Sequence, residues 1–157
     1  MMGIDVKLDM RAIKALEEAA VKSAETAMEL VASNIMDTVP LDQGDLQNNI
    51  YVDIKKSDDE THVFIDHNCV YARYLYFGNK MVDAETGKGP ALVHDSDGNE
   101  VGYRYRKGAV LKVKQPVEKL NFQNGRTDHW LDPYISGDKS DFVQKAFTAE
   151  FKKKAGV

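Results

Sequence analysis

Three clusters in this chain hold residue types able to do chemistry. His62, Asp66, His67 and Cys69 crowd into one stretch. Two imidazoles beside a thiol could ligate zinc, or serve as a nucleophile with its base. A strand there would let His62 and Asp66 share a face at most, and a metal-dependent hydrolase using His62, His67 and Cys69 would require bound metal. Asp95, Asp97, Asn99 and Glu100 resemble a calcium loop, but Gly98 arrives too early for that pattern and no flanking helices are expected. Gly87-Lys88 resembles a phosphate loop, yet Val82 replaces its first glycine and Gly89 its hydroxyl residue. The expectation is therefore no catalytic residue, no metal ligand and no cofactor.

The elements that would position any site begin with a long helix. Ile13, Leu16, Ala20, Ala24, Ala27, Val31 and Ile35 step by three or four residues onto one face. Lys14, Glu17, Glu18, Lys22, Glu25 and Glu29 form the solvated side. Asp9 is the expected N-cap, its carboxylate accepting from free backbone N–H groups. A helix over 9–38 would be about 45 Å long, more than so small a domain needs for its own core. Either it kinks or part of its stripe packs on another subunit. Pro40 ends it, because the ring withholds a donor and disfavours the helical conformation at Val39. Gly44 then permits a turn and Leu46 returns to the core.

Beyond that corner, 48–78 reads as three strands. Ile50, Val52 and Ile54 alternate with Tyr51, Asp53 and Lys55, and a polar turn leads to a second alternating run around Phe64. Tyr71 to Phe77, aromatic on both faces, is expected as the third. Residues 79–128 lack helical periodicity and are expected to form an extended β arm. Its clearest signal is Asp97-Gly98 between two strand-like runs, a hairpin turn. Charge along the arm is divided. Asp83, Glu85, Asp95, Asp97 and Glu100 face Lys80 and Lys88 in the first part, whereas Arg104, Arg106, Lys107, Lys112, Lys114 and Lys119 face Glu118 in the second. Such an arm could be merely solvated, could meet neighbouring subunits, or could turn its basic part to DNA. A final helix over 138–154, capped by Asp138 or Ser140, would present Phe142, Ala146, Phe147 and Phe151.

The expected architecture is α+β: a long N-terminal and a shorter C-terminal helix on a small antiparallel sheet, with the hairpin arm, in one domain over 1–157. A length of 157 residues suits one core. The net charge of -4 argues against a bulk nucleic-acid binder. Cys69 is the sole cysteine, so no disulfide can form within the chain, which fits a reducing cytoplasm. Met1 to Asp9 lacks the cationic start and apolar run of a signal peptide, and no membrane span is expected.

Three segments, in order, resemble one family. Val39-Pro40-Leu41-Asp42-Gln43-Gly44-Asp45-Leu46 is similar to the Pro–x–x–Thr–Gly–x–Leu turn after the first helix of small minor capsid and tail-completion proteins of tailed bacteriophages, with Gln43 where Thr is commoner. Tyr71-Ala72-Arg73-Tyr74-Leu75-Tyr76-Phe77-Gly78 resembles their Tyr-Ala-x-Tyr-x-x-Phe-Gly segment, and His129-Trp130-Leu131-Asp132-Pro133 resembles the aromatic lead-in to their last helix. The resemblance implies Pro40, Gly44, Leu46, Tyr71, Ala72, Tyr74, Phe77, Gly78 and Trp130 as structural positions. It implies a non-enzymatic virion protein, made in the host cytoplasm and placed at the head–tail junction. There it would form a ring of about six or twelve copies, between portal-adaptor, neck or tail-tube proteins, with packaged DNA passing without sequence-specific binding. Arg104, Arg106, Lys107, Lys112 and Lys114 are the candidate subunit-contact residues of the arm. The competing reading is a small DNA-binding or DNA-processing protein using the basic 101–119 stretch.

Overall fold

A computed structural model describes residues 6–40, 45–68 and 72–157. The element order is α1 (Met10–Ile35), α2 (Asp45–Asn48), β1 (Ile50–Lys56), β2 (Thr61–His67), α3 (Ala72–Phe77), β3 (Met81–Asp83), β4 (Ala91–His94), β5 (Glu100–Arg104), β6 (Leu111–Val113), α4 (Asp132–Ile135) and α5 (Phe142–Ala155). The class is α+β, with a long first helix, a short last helix and small antiparallel sheets. Instead of one sheet there are three two-stranded ones among the described residues, β1–β2, β3–β6 and β4–β5. The chain divides into two compact units: residues 1–35, 50–66 and 131–157 form the first, and 36–49 with 67–130 the second.

In the first unit α1 packs along α5 and against β1. Asp9 caps α1 as expected, its Oδ1 accepting from the backbone N–H groups of Arg11 at 3.0 Å and Ala12 at 3.2 Å. Burial follows a four-residue step through Ser23, Ala27, Val31 and Ile35. Ser23 satisfies its hydroxyl on the Ala19 carbonyl at 2.6 Å, which is how a polar residue enters this stripe. The N-terminal half of the stripe is not covered: Met10 is 67% exposed and Leu16 45%. On α5, Phe147 and Phe151 stack with centroids 5.7 Å apart, and Phe142 meets Tyr134 edge to face at 5.6 Å. The expected caps Asp138 and Ser140 fall short of α5, whose N-cap is Asp141; that residue makes no side-chain capping bond and instead pairs with Lys145.

In the second unit the expected third strand is a helix. Residues 72–77 form α3, where Ala72 and Tyr76 lie one turn apart, and Gly78 closes it at φ +64° with its N–H on the Leu75 carbonyl. Phe77-Gly78 is thus a left-handed helix stop rather than a strand end. Local β preference of the aromatics yields here to packing of the Tyr76 ring against Trp130. The arm over 79–128 is more ordered than its aperiodic sequence suggests. Met81, Val82 and Asp83 pair antiparallel with Val113, Lys112 and Leu111, and all three are buried. The hairpin β4–β5 forms across the Asp95–Asn99 turn, with Gly98 at φ +83° and a bulge between Val93 and His94. Neither of its strands packs comparably on any other element among the described residues.

Candidate functional site

None of the chemical clusters assembles among the described residues, where no three of His, Cys, Asp and Glu converge to hold a metal ion. Cys69 lies outside the described residues, as do Gly44 and Tyr71. His62 is exposed and sits 3.0 Å from Glu60 Oε2. His67 accepts at Nε2 from the Trp130 indole N–H at 3.2 Å, so its neutral ring carries the proton on Nδ1. Asp95 Oδ1 accepts from the backbone N–H groups of Asp97 and Asn99, both at 2.9 Å, and Oδ2 takes the Asn99 amide at 3.2 Å. Those bonds, that of the Asn99 backbone first, lower its pKa and occupy the oxygens a cation would need.

The second unit instead brings the motif segments together. Leu46, on α2, and Val39, just before Pro40, are buried. Arg126 donates from one Nη1 to the carbonyls of Met36 at 2.6 Å and Val39 at 3.0 Å, and the Thr127 N–H donates to Thr38 at 2.9 Å. These bonds take up helix-exit carbonyls that the intrahelical ladder leaves open. The His129 N–H donates to the Tyr76 carbonyl at 2.9 Å, tying the last segment to α3. Trp130, only 3% exposed, receives the Tyr76 ring edge-on at 4.9 Å, and His129 lies 5.1 Å from Tyr76. A Cβ at Gly78 would stand 2.5 Å from Asp128 Oδ2, so it would fit only with that carboxylate displaced. Pro40, Leu46, Ala72, Tyr74, Phe77, Gly78 and Trp130 therefore belong to one unit built from 36–49, 72–78 and 126–130. The sequence offered no signal for Arg126, whose partners Met36 and Val39 are distant in the chain. Arg126→Leu should cost about 1–3 kcal/mol in urea unfolding by stranding the Val39 carbonyl, with Arg126→Lys milder; a variant as stable as wild type would contradict this role.

The basic stretch is half committed. Arg106 ties the Asp83 and Glu85 carboxylates from Nε and Nη2. Lys114 and Lys80 both hold Glu118, and Lys119 donates to the Phe77 carbonyl at 3.1 Å. Arg104, Lys107 and Lys112 make no ion pair among the described residues. Asp83 is buried, and the Arg106 guanidinium, followed by the Glu85 backbone N–H, holds its carboxyl down at about 2. A depressed folded pKa stabilises above the unfolded value of about 4 and ceases to as pH falls to about 2. The stability advantage of wild type over Asp83→Asn, followed by urea unfolding, should be constant near neutrality and shrink across that acidic window. An advantage unchanged through the window would contradict the ion pair.

Among protein-family models, residues 7–78 match the one described as "HK97-gp10_like: Bacteriophage HK97-gp10, putative tail-component". The match spans the Pro40 corner and the Tyr71–Gly78 segment and ends before Trp130. No curated protein matches the chain, and no solved structure does. No helix among the described residues is long and apolar enough to cross a membrane.

Proposed function

We propose that this chain, whose residues 7–78 match the HK97-gp10-like family model, is a ring-forming virion subunit at the head–tail junction of a tailed phage. The family match supports a phage head–tail or tail component. Its finer role is a minor capsid, connector or tail-completion subunit, made in the host cytoplasm and working without catalysis. Its neighbours are portal-adaptor, neck or tail-tube proteins, and packaged DNA passes through the ring without sequence-specific binding.

One observation carries the ring reading. The apolar face of α1 continues N-terminally past the part its own unit buries, leaving Met10 and Leu16 exposed at 67% and 45%. A helix longer than its core needs, with small residues on the same stripe, suits a neighbouring copy. A head-to-tail contact closes into a ring when its rotation closes. Native mass spectrometry at rising concentration should reveal a closed oligomer that Leu16→Glu weakens. If Leu16→Glu left such an oligomer intact, α1 would not be its contact.

A second reading, DNA binding through the basic stretch, is favoured by Arg104, Lys107 and Lys112, which make no ion pair among the described residues. These three cations are a small electrostatic footprint, because their neighbours Arg106, Lys114 and Lys119 are engaged within the chain. Salt-dependent binding to duplex DNA that vanishes on reversing Arg104, Lys107 and Lys112 would establish this reading; no binding at low salt dismisses it.

A further inference from the structure

The second unit holds a cleft of about 380 Å³ between α3 and the β3–β6 pair, lined by Tyr74, Phe77, Met81, Leu111 and Val113 and rimmed by two cations, Arg73 and Lys112. Both cations are exposed, and neither has an ion pair among the described residues. On the wall, Asn79 carries a buried amide oxygen that meets no donor. The lining joins apolar side chains to two cations, and the Asn79 acceptor is unmet among the described residues. That combination fits a turn of polypeptide bearing carboxylates beside an apolar side chain.

The same unit displays such a turn. At the end of the β4–β5 hairpin, Asp97 and Glu100 have side chains with no partner among the described residues, whereas Asp95 is spent on the turn itself. Tyr103, close behind the tip on β5, is 62% exposed. A two-stranded hairpin that packs mainly on itself gains little stability in water and benefits from docking. The other acidic turn, Asp58-Asp59-Glu60, is a poorer match, because Glu60 is engaged by His62 and no large exposed apolar residue adjoins it.

We propose that the acidic hairpin tip of one copy, through Asp97, Glu100 and Tyr103, docks in the Arg73–Lys112 cleft of the next. This rests on the reading of the chain as a ring subunit and names a contact that would build the ring. Donor and acceptor surfaces are different patches of one chain, so the contact is head-to-tail and propagates from copy to copy.

Paired charge reversals test it in the full-length chain. Copies carrying Asp97→Lys with Glu100→Lys, and copies carrying Arg73→Glu with Lys112→Glu, should each self-associate at least about tenfold more weakly than wild type by sedimentation. Mixing the two variants should restore association, because every tip then faces a cleft of opposite charge. Reversing Asp58 and Asp59 to Lys should leave association unchanged. Wild-type association that survives either paired reversal, or a mixture that stays dissociated, overturns the contact. So does a cleft reversal whose only effect is lost binding to duplex DNA. A chain that stays monomeric up to about millimolar concentration overturns it too; finding that same chain in virions would leave the phage reading standing.

Discussion

Trp130→Ala should destabilise the second unit by about 3–5 kcal/mol, enough to unfold it under mild conditions. The indole is almost fully buried, takes the Tyr76 ring edge-on and donates its N–H to His67. Truncation opens a cavity, leaves the His67 nitrogen without this donor and frees the segment that ties residues 126–130 to α3. Trp130→Phe keeps one aromatic ring for Tyr76 but loses the N–H and the volume of the fused five-membered ring, so it should cost less, about 1–3 kcal/mol. Urea unfolding followed by tyrosine fluorescence and circular dichroism gives both values. Equal, small losses for the two variants would mean that the ring contributes little.

Gly78→Ala is the second large effect, and its cause is backbone rather than core. The residue has φ +64°, where a side chain costs about 1–2 kcal/mol. The added Cβ would also stand 2.5 Å from the Asp128 carboxylate, so that side chain must shift. The two terms together predict a loss of about 1–3 kcal/mol, most of it from the backbone. Adding Asp128→Ala to Gly78→Ala should recover the steric part and leave the conformational part. A double variant no more stable than Gly78→Ala would put the whole penalty in the backbone.

How much of this was legible in the sequence differs from element to element. The first helix and its Asp9 cap could be read because both are local: a three-to-four step and a carboxylate at a fixed offset. Leu16 lies on that stripe yet is exposed, since periodicity identifies a face and not what covers it. The hairpin around Asp97-Gly98 was equally local and appears where expected. Tyr71 to Phe77 misled because a short aromatic run satisfies either period. Gly78 was the available signal, as a helix-stopping residue directly after an apolar turn.

The pairing of β3 with β6 was invisible, because three-residue strands far apart in the chain leave no pattern. The commitments of Arg106 to Asp83 and of Arg126 to the helix-exit carbonyls were hidden for the same reason. In sequence they are charges in an irregular stretch; only the fold decides that they are bonded within the chain, whereas Arg73 and Lys112 make no ion pair among the described residues. As for the motifs, Pro40, Leu46, Phe77, Gly78 and Trp130 fall in one compact unit.

The claim that this chain is a structural component of a tailed-phage particle is tested most directly by mass spectrometry of purified virions from the phage or induced prophage that encodes it. The account predicts the chain in intact particles, at a stoichiometry of one ring, about six or twelve copies, and its loss from tailless heads or from free tails according to its place at the junction. Virions complete and infectious without the chain would contradict it.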